Sequence, residues 1–301
     1  MMPIRVEINK NIVLLECLLN RFGQAYGDSD FHPLRLAAVK HFEAYNGAVP
    51  NVEEYIHESK PLAWAVTVGE PPKFESLGLK NIDSKTMWTL DKGKAIKPYL
   101  IDFYDGTDFE GFYKKALPKL EKMKKGMESL LSETKIIAML EETWGTKLKQ
   151  EMVVVLNPFT QGSTGPQIGN VNFQIMGIGD DFRKGQAIHT ILHEGSHPIA
   201  KQILKSYWKE IDKKEHLLEK ALKHPKYPKS YNYWRTCFEE HLIRAVHVGF
   251  INPKIKDNYD IQTALDWEKD RKGMVFIDTF YENLQKGAIS GSIPKILEAL
   301  K

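Results

Sequence analysis

Apolar residues recur at intervals of three and four positions along most of the chain, which is the spacing of one face of an α-helix. Residues 6–22 and 33–46 show this pattern near the N-terminus, and residues 109–143 carry a longer apolar stripe that is flanked by lysines. The same spacing returns in several segments after Gly185. The pattern therefore predicts a mostly helical protein.

Two segments have the pattern of β-strands instead. Residues 151–159 (EMVVVLNPF) are rich in β-branched apolar side chains, and residues 171–179 alternate apolar with polar side chains, as an edge-like strand does. Residues 62–68 (LAWAVTV) fit either a short strand or another buried segment. We therefore expect an α+β fold, mostly helical, with a small mixed or antiparallel sheet.

Composition narrows the class of protein. The chain has 301 residues, of which 42% are hydrophobic and 27% are charged, and its net charge is +3. These values are ordinary for a globular protein, and so small a charge predicts neither a nucleic-acid partner nor a membrane partner. We find neither an apolar run of the about 20 residues that a membrane span needs nor the pattern of a signal peptide. The oligomeric state and the compartment stay open.

The chemistry of the chain centres on residues 193–197, HEGSH, an H-E-x-x-H motif. His193 and His197 are one helical turn apart, so both imidazoles can bind a single zinc ion. Glu194 stands where a carboxylate reaches a zinc-bound water, whose pKa falls to about 7, and can take its proton as general base. The alternative is a helix that carries these polar residues without a metal. Pro198 is expected to kink or end the helix.

The residues alone leave the third zinc ligand open. The longer pattern H-E-x-x-H-x-x-G-x-x-H is excluded because Ala200 and Ile203 stand at its Gly and third His positions. Four later glutamates are candidates, namely Glu215, Glu219, Glu239 and Glu240. The first pair lies in a Lys- and Glu-rich segment, whereas the second pair lies in an otherwise apolar helix and is preferred. Helical periodicity does not choose within that second pair.

The H-E-x-x-H helix and the later E-x-L-I-R-A at residues 240–245 together resemble a bacterial family, a domain of unknown function with gluzincin-type zinc ligands. HFEAYNGAVPNVEEYI (41–56) and VVVLNPF (153–159) are also similar to the family. The resemblance implies a zincin-like metallopeptidase core, with the sheet packed on the H-E-x-x-H helix. It also implies that Glu240 is the third zinc ligand.

Two further side chains are candidate catalytic groups. Arg244, one turn after Glu240, either orients that carboxylate, stabilises an oxyanion or forms an ordinary ion pair with it. A tyrosine in the preceding loop offers a phenol to a tetrahedral intermediate, and Tyr231 is preferred over Tyr227 and Tyr233, with aromatic packing as the alternative.

The expected function is zinc-dependent hydrolysis of a peptide bond in a peptide or protein substrate. The predicted helical region is 1–145 and the predicted catalytic region is 146–301, where an edge strand of the sheet can hold an extended peptide. Two alternatives stay open. The same zinc site can act on a non-peptide amide or ester, or the domain is catalytically silent and any metal serves binding or stability.

Overall fold

The chain divides into two compact units. The computed structural model describes residues 4–22, 32–48, 59–78, 84–160, 163–178, 184–228, 231–284 and 288–301. The first unit comprises residues 1–134 and 149–190, and the second comprises residues 135–148 and 191–301. The residues of the H-E-x-x-H motif and the Glu239–Glu240 pair therefore belong to the second unit.

The first unit contains a four-stranded mixed sheet. Its strands are β1 (Ile4–Glu7), β2 (Glu151–Asn157), β3 (Gln167–Ile168) and β4 (Val171–Gly177). Their spatial order is β1-β2-β4-β3, in which β1, β2 and β4 are parallel and β3 is antiparallel to β4. A small mixed sheet in a mostly helical chain agrees with the predicted α+β class. The packing of this sheet on the H-E-x-x-H helix stays a prediction.

The polar side chains of β4 are buried. The strand lies between β2 and β3, and its Asn172 and Gln174 are only 1% and 0% exposed. Gln174 Nε2 donates a hydrogen bond to Asn172 Oδ1 at 3.1 Å. An inner strand with residues of both faces buried has no side towards water. The prediction of an edge-like strand was therefore wrong for β4.

Six helices of the first unit pack on one apolar core together with residues of β2 and β4. They are α1 (Lys10–Arg21), α2 (Pro33–His41), α3 (Ser59–Ala65), α4 (Ser84–Lys94), α5 (Lys97–Asp105) and α6 (Phe109–Thr134). The side chain of Asn9 caps α1 by accepting a hydrogen bond from the backbone N–H of Ile12 at 3.0 Å. α1 is buried on almost every side and forms the centre of this core.

Two segments of the first unit differ from the prediction. Val6 and Glu7 belong to β1, although the periodicity included them in a helix, because they pair with Val154 and Val155 of β2. Pairing with a distant part of the chain here overrides the local pattern. Residues 62–68 are largely buried, but α3 occupies them up to Ala65, so the strand alternative for this segment was wrong.

The regular elements among the described residues of the second unit are all helical. Its α-helices are α7 (Ile136–Trp144), α8 (Lys184–Leu204), α9 (Trp208–Asp212), α10 (Leu218–Leu222), α11 (Trp234–Val246), α12 (Asn252–Ile255), α13 (Ile261–Lys272), α14 (Ile277–Leu284) and α15 (Ile289–Ala299). The part of α8 before residue 191 belongs to the first unit. A π-helical turn, His247–Ile251, follows α11. The aromatic rings of Phe238 and Phe280 join α11 to α14 at a centroid distance of 4.8 Å. No described helix of either unit is long and apolar enough to cross a membrane.

The helix that carries the H-E-x-x-H motif continues past Pro198. α8 ends at Leu204, six residues beyond the proline. Ile199, Ala200 and Leu204 are all buried. Burial of these apolar side chains offsets the hydrogen bond that the proline removes. Of the two expected effects of Pro198, a kink or an end of the helix, the end was therefore wrong.

Both cysteines are buried free thiols. Cys17 lies on α1 and Cys237 lies on α11. Burial raises the pKa of each thiol, to about 12 for Cys237. Because a nucleophile or metal ligand must be the thiolate, these side chains act as small apolar groups.

A polar cluster lies inside the core of the first unit. Glu16 on α1 is only 2% exposed and accepts a hydrogen bond from Asn157 Nδ2 at 2.8 Å. Nearby, Arg35 Nε donates to Asn20 Oδ1 at 2.6 Å. Burial raises the pKa of Glu16 to about 7, against the smaller effects of the Asn157 hydrogen bond and the Arg35 charge. The protonated form of Glu16 is therefore the stable one in the folded chain below about pH 7.

We predict that Glu16→Gln removes a pH dependence from the stability of the fold. The pKa of Glu16 in the folded chain lies above its ordinary value of 4.5, so its stabilising effect is complete below that value and is lost as the pH rises through about 7. The free energy of unfolding of the wild type should fall by about 3 kcal/mol over this range. Urea unfolding at pH 5 and pH 8 measures the change.

The variant should lack most of this fall. Glu43→Gln makes the same substitution at an exposed position of the first unit and should keep the wild-type pH dependence. Other titrating groups are common to all three proteins and cancel in the comparison. An equal fall in the wild type and in Glu16→Gln would contradict the assignment.

Candidate metal centre

Two helices bring the motif histidines and the glutamate pair together. α8 carries His193 and His197 one turn apart, and α11 carries Glu239 and Glu240. Most residues of α11 are buried, and the two carboxyl-bearing residues are only 6% and 5% exposed. The packing that buries α11 therefore takes both carboxylates out of water beside the two imidazoles.

His193, His197 and Glu240 form a compact cluster of potential metal ligands. One ligand atom from each lies within 4.8 Å of the others. Nε2 of His193 is 3.7 Å from Oε2 of Glu240, and Nε2 of His197 is 3.5 Å from Oε1 of Glu240. Nitrogen and oxygen ligands bound tetrahedrally to zinc at about 2.1 Å are separated by about 3.4 Å. The spacing therefore fits this ligand set around one ion.

One oxygen of Glu240 lacks a hydrogen-bond partner. Its Oε2 is buried and accepts no hydrogen bond from the residues that the structure describes. The nearest guanidinium nitrogen, Nε of Arg244, is 3.4 Å away and is likewise without a hydrogen bond. A buried carboxylate oxygen without a partner is destabilising by a few kcal/mol. A bound cation would satisfy this oxygen.

Glu239 contacts the second histidine from the opposite side. Its Oε1 is 2.7 Å from Nδ1 of His197, and Nζ of Lys201 lies 3.8 Å from the same oxygen. With the proton on Nδ1, this hydrogen bond directs the lone pair of Nε2 towards Glu240, as carboxylates do for metal-binding histidines. The geometry thus brings Glu240 into the cluster of potential ligands and places Glu239 against the other ring nitrogen of His197. Glu240 as the third zinc ligand stays a prediction.

Arg244 lies between two carboxylates and a phenol. Its Nη1 donates to Oε2 of Glu268 at 2.9 Å, its Nε faces Glu240, and its Nη2 is 3.5 Å from the hydroxyl of Tyr231. Burial and the charge of Glu240 raise the pKa of Tyr231 to about 12, so its phenol keeps the proton at neutral pH. Arg244 thus forms the predicted ion pair with Glu240 and a second one with Glu268, and its orienting and oxyanion roles stay predictions.

Two titratable groups of α8 are shifted by this environment. Burial raises the pKa of Glu194, and the negative charge of Glu240 raises it further, while nearby cations oppose the shift. Burial alone would lower the pKa of His197, but the hydrogen bond with Glu239 and the charge of Glu240 raise it overall. A carboxyl group with a raised pKa exchanges protons more readily near neutral pH.

Comparison with known families identifies the family of the chain. The family described as "Domain of unknown function (DUF4932)" matches residues 39–286 of the 301. The chain belongs to this family. Membership of a domain-of-unknown-function family, which the sequence predicted, is thereby confirmed. No curated protein and no solved structure matches the chain. The matched range includes α8 and α11, so the ligand cluster lies within the DUF4932 domain.

Behind His193, the DUF4932 domain contains a polar network that the sequence did not reveal. The ring of His247, the first residue of the π-helical turn, is 5.4 Å from the ring of His193 in an edge-to-face arrangement. Its Nε2 lies 3.4 Å from Oγ of Ser196, which accepts a hydrogen bond from Nε1 of Trp144 at 3.1 Å. A π-helical turn changes the direction of the following side chains and is often found at functional sites.

The remaining sequence candidates of the DUF4932 domain lie outside the cluster. Glu215 and Glu219 are exposed, and Glu219 pairs with Lys223 at 2.8 Å. Tyr233 is 70% exposed, whereas Tyr227 is buried and packs edge-to-face against Tyr231. Tyr231 is thus the loop tyrosine that the structure places beside Arg244.

Glu268 is another residue near the cluster that the sequence analysis did not identify. It lies on α13 in a highly charged segment, IQTALDWEKDRK. One feature of the sequence could have indicated that Glu268 faces the protein interior. It lies three residues after the buried Leu265 and seven after Ile261, on the apolar side of α13.

Proposed function

We propose that this protein is a gluzincin-type zinc-dependent hydrolase that cleaves peptide bonds. His193, His197 and Glu240 would hold the ion. The observation that carries the proposal is their mutual spacing around a buried carboxylate oxygen without a hydrogen bond. Two imidazoles and one carboxylate are a ligand set typical of catalytic zinc, which leaves a position for water or substrate.

The proposed chemistry assigns a step to Glu194. Zinc supplies Lewis acidity, which polarises a carbonyl group and makes water a nucleophile near neutral pH. Glu194 accepts a proton from the water as the water oxygen bonds to the carbonyl carbon. The same carboxyl group then gives this proton to the amide nitrogen as the C–N bond breaks. The raised pKa of Glu194 supports both transfers.

Two neighbouring side chains have proposed supporting roles. Tyr231 keeps its proton at neutral pH because its pKa is about 12, so its hydroxyl is a donor for the oxyanion of the tetrahedral intermediate. Arg244 orients Glu240 through its side-chain position 3.4 Å from Oε2. Peptides are the proposed substrates because this arrangement of two histidines and a glutamate around a metal recurs most often with amide carbonyl substrates.

We predict that Glu194→Gln abolishes hydrolysis and retains zinc. The amide cannot accept the proton, so the rate should fall by a factor of about 10² to 10⁴, while the three proposed ligands are unchanged. Peptide-library cleavage followed by mass spectrometry, with zinc content measured on the same samples, tests both halves. Glu219→Gln, an exposed change in the same unit, is the matched control and should behave as wild type.

Unimpaired cleavage by Glu194→Gln would contradict the mechanism. Cleavage of amide or ester probes without cleavage of peptides would support zinc-dependent hydrolysis and contradict the proposal that peptides are the substrates. A zinc-loaded wild type that cleaves none of these substrates would overturn the enzymatic proposal and favour a silent metal-binding domain.

We predict that the two adjacent glutamates differ in their effect on zinc affinity. Glu240→Gln removes the charged ligand and should weaken zinc binding more than about 100-fold, whereas Glu239→Gln removes a support of His197 and should weaken it about 10- to 100-fold. Competition with a calibrated chelator measures both. Each variant controls for the other, because the same change is made at neighbouring buried positions. A larger effect at Glu239 would contradict the assignment.

A further inference from the structure

Glu268 and Arg244 form a largely buried ion pair beside the ligand cluster. Oε2 of Glu268 accepts from Nη1 of Arg244 at 2.9 Å, and the two side chains are 12% and 16% exposed. Because both groups are largely buried, removal of either partner would leave the other charge uncompensated in a region of low dielectric constant.

Arg244 is also a potential competitor for Glu240. Its Nε lies 3.4 Å from Oε2 of Glu240, and neither atom makes a hydrogen bond. A guanidinium group donates strongly to carboxylates. A small movement of Arg244 would therefore convert this contact into a charge-assisted hydrogen bond and take up the lone pair that a cation requires.

Glu268 opposes that movement. It binds Nη1, which leaves the Nε edge facing Glu240 without a hydrogen bond. Its negative charge also offsets the positive charge of Arg244, which would otherwise reduce the attraction between Glu240 and a cation. Tyr231 lies at Nη2 and completes the surroundings of the guanidinium group.

We propose that Glu268 is a positioning residue for the metal ligand Glu240 and acts through Arg244. It keeps the guanidinium group close enough to orient Glu240 and prevents it from occupying Oε2. This inference rests on the proposed zinc site and extends it to Glu268 on a third helix, α13, whose ion pair is with Arg244.

The test is the zinc affinity of purified Glu268→Gln, measured by chelator competition, with circular dichroism to verify folding. The variant should bind zinc about 10- to 100-fold more weakly than wild type. The double variant Arg244→Gln/Glu268→Gln should recover most of the lost affinity, because the competitor is removed together with its restraint. Asp270→Asn makes the same charge change at an exposed position of α13 and should bind as wild type.

The outcomes separate this inference from the proposed function. If the wild type binds no zinc, the proposed site fails and the inference with it. If the wild type binds zinc and Glu268→Gln binds it equally well, only the inference is overturned, and the same holds if the double variant is weaker than the single one.

A further variant covers the case in which Glu268→Gln does not fold. Glu268→Asp keeps the charge on a shorter side chain, which restrains Arg244 less tightly. It should bind zinc about three- to tenfold more weakly than wild type. Wild-type affinity in Glu268→Asp would contradict the inference.

Discussion

The site of the second unit depends on the burial of two adjacent carboxylates. Glu239 and Glu240 are held out of water on α11, a helix of which most residues are buried. Like charges that are close together in a medium of low dielectric constant destabilise a fold unless cations compensate them. Each carboxylate therefore needs its own positively charged neighbour, and the arrangement of the surrounding side chains follows from this requirement.

The two carboxylates meet the requirement differently. His197 and Lys201 lie beside Glu239, and against the effect of burial the hydrogen bond at 2.7 Å and the charge of Glu240 together raise the pKa of that histidine. Glu240 has Nε2 of His193 and of His197 at 3.7 and 3.5 Å and Nε of Arg244 at 3.4 Å, yet its Oε2 stays without a hydrogen bond. The proposed zinc ion would satisfy this oxygen and supply positive charge between the two motif histidines and the glutamate.

The sequence predicts the parts of this account that depend on local spacing. The H-E-x-x-H pair lies on a helix as expected, and the resemblance to the family singled out Glu240. Contacts between segments that are distant in the chain could not be predicted from the sequence. Glu268 lies on α13 among charged residues, and the π-helical turn that positions His247 leaves no clear trace in the residue pattern. Likewise, only pairing with β2 makes Ile4–Glu7 a strand, and only an inner place in the sheet buries Asn172.

The most direct test of the central claim is the metal content of the purified protein. Elemental mass spectrometry on the wild type, after zinc is supplied and excess is removed, should give about one zinc per chain, because a single ligand cluster is present among the described residues. The His193→Ala/His197→Ala variant, folded by circular dichroism, should retain none. A wild type without stoichiometric zinc, or a double variant that keeps it, would contradict the account.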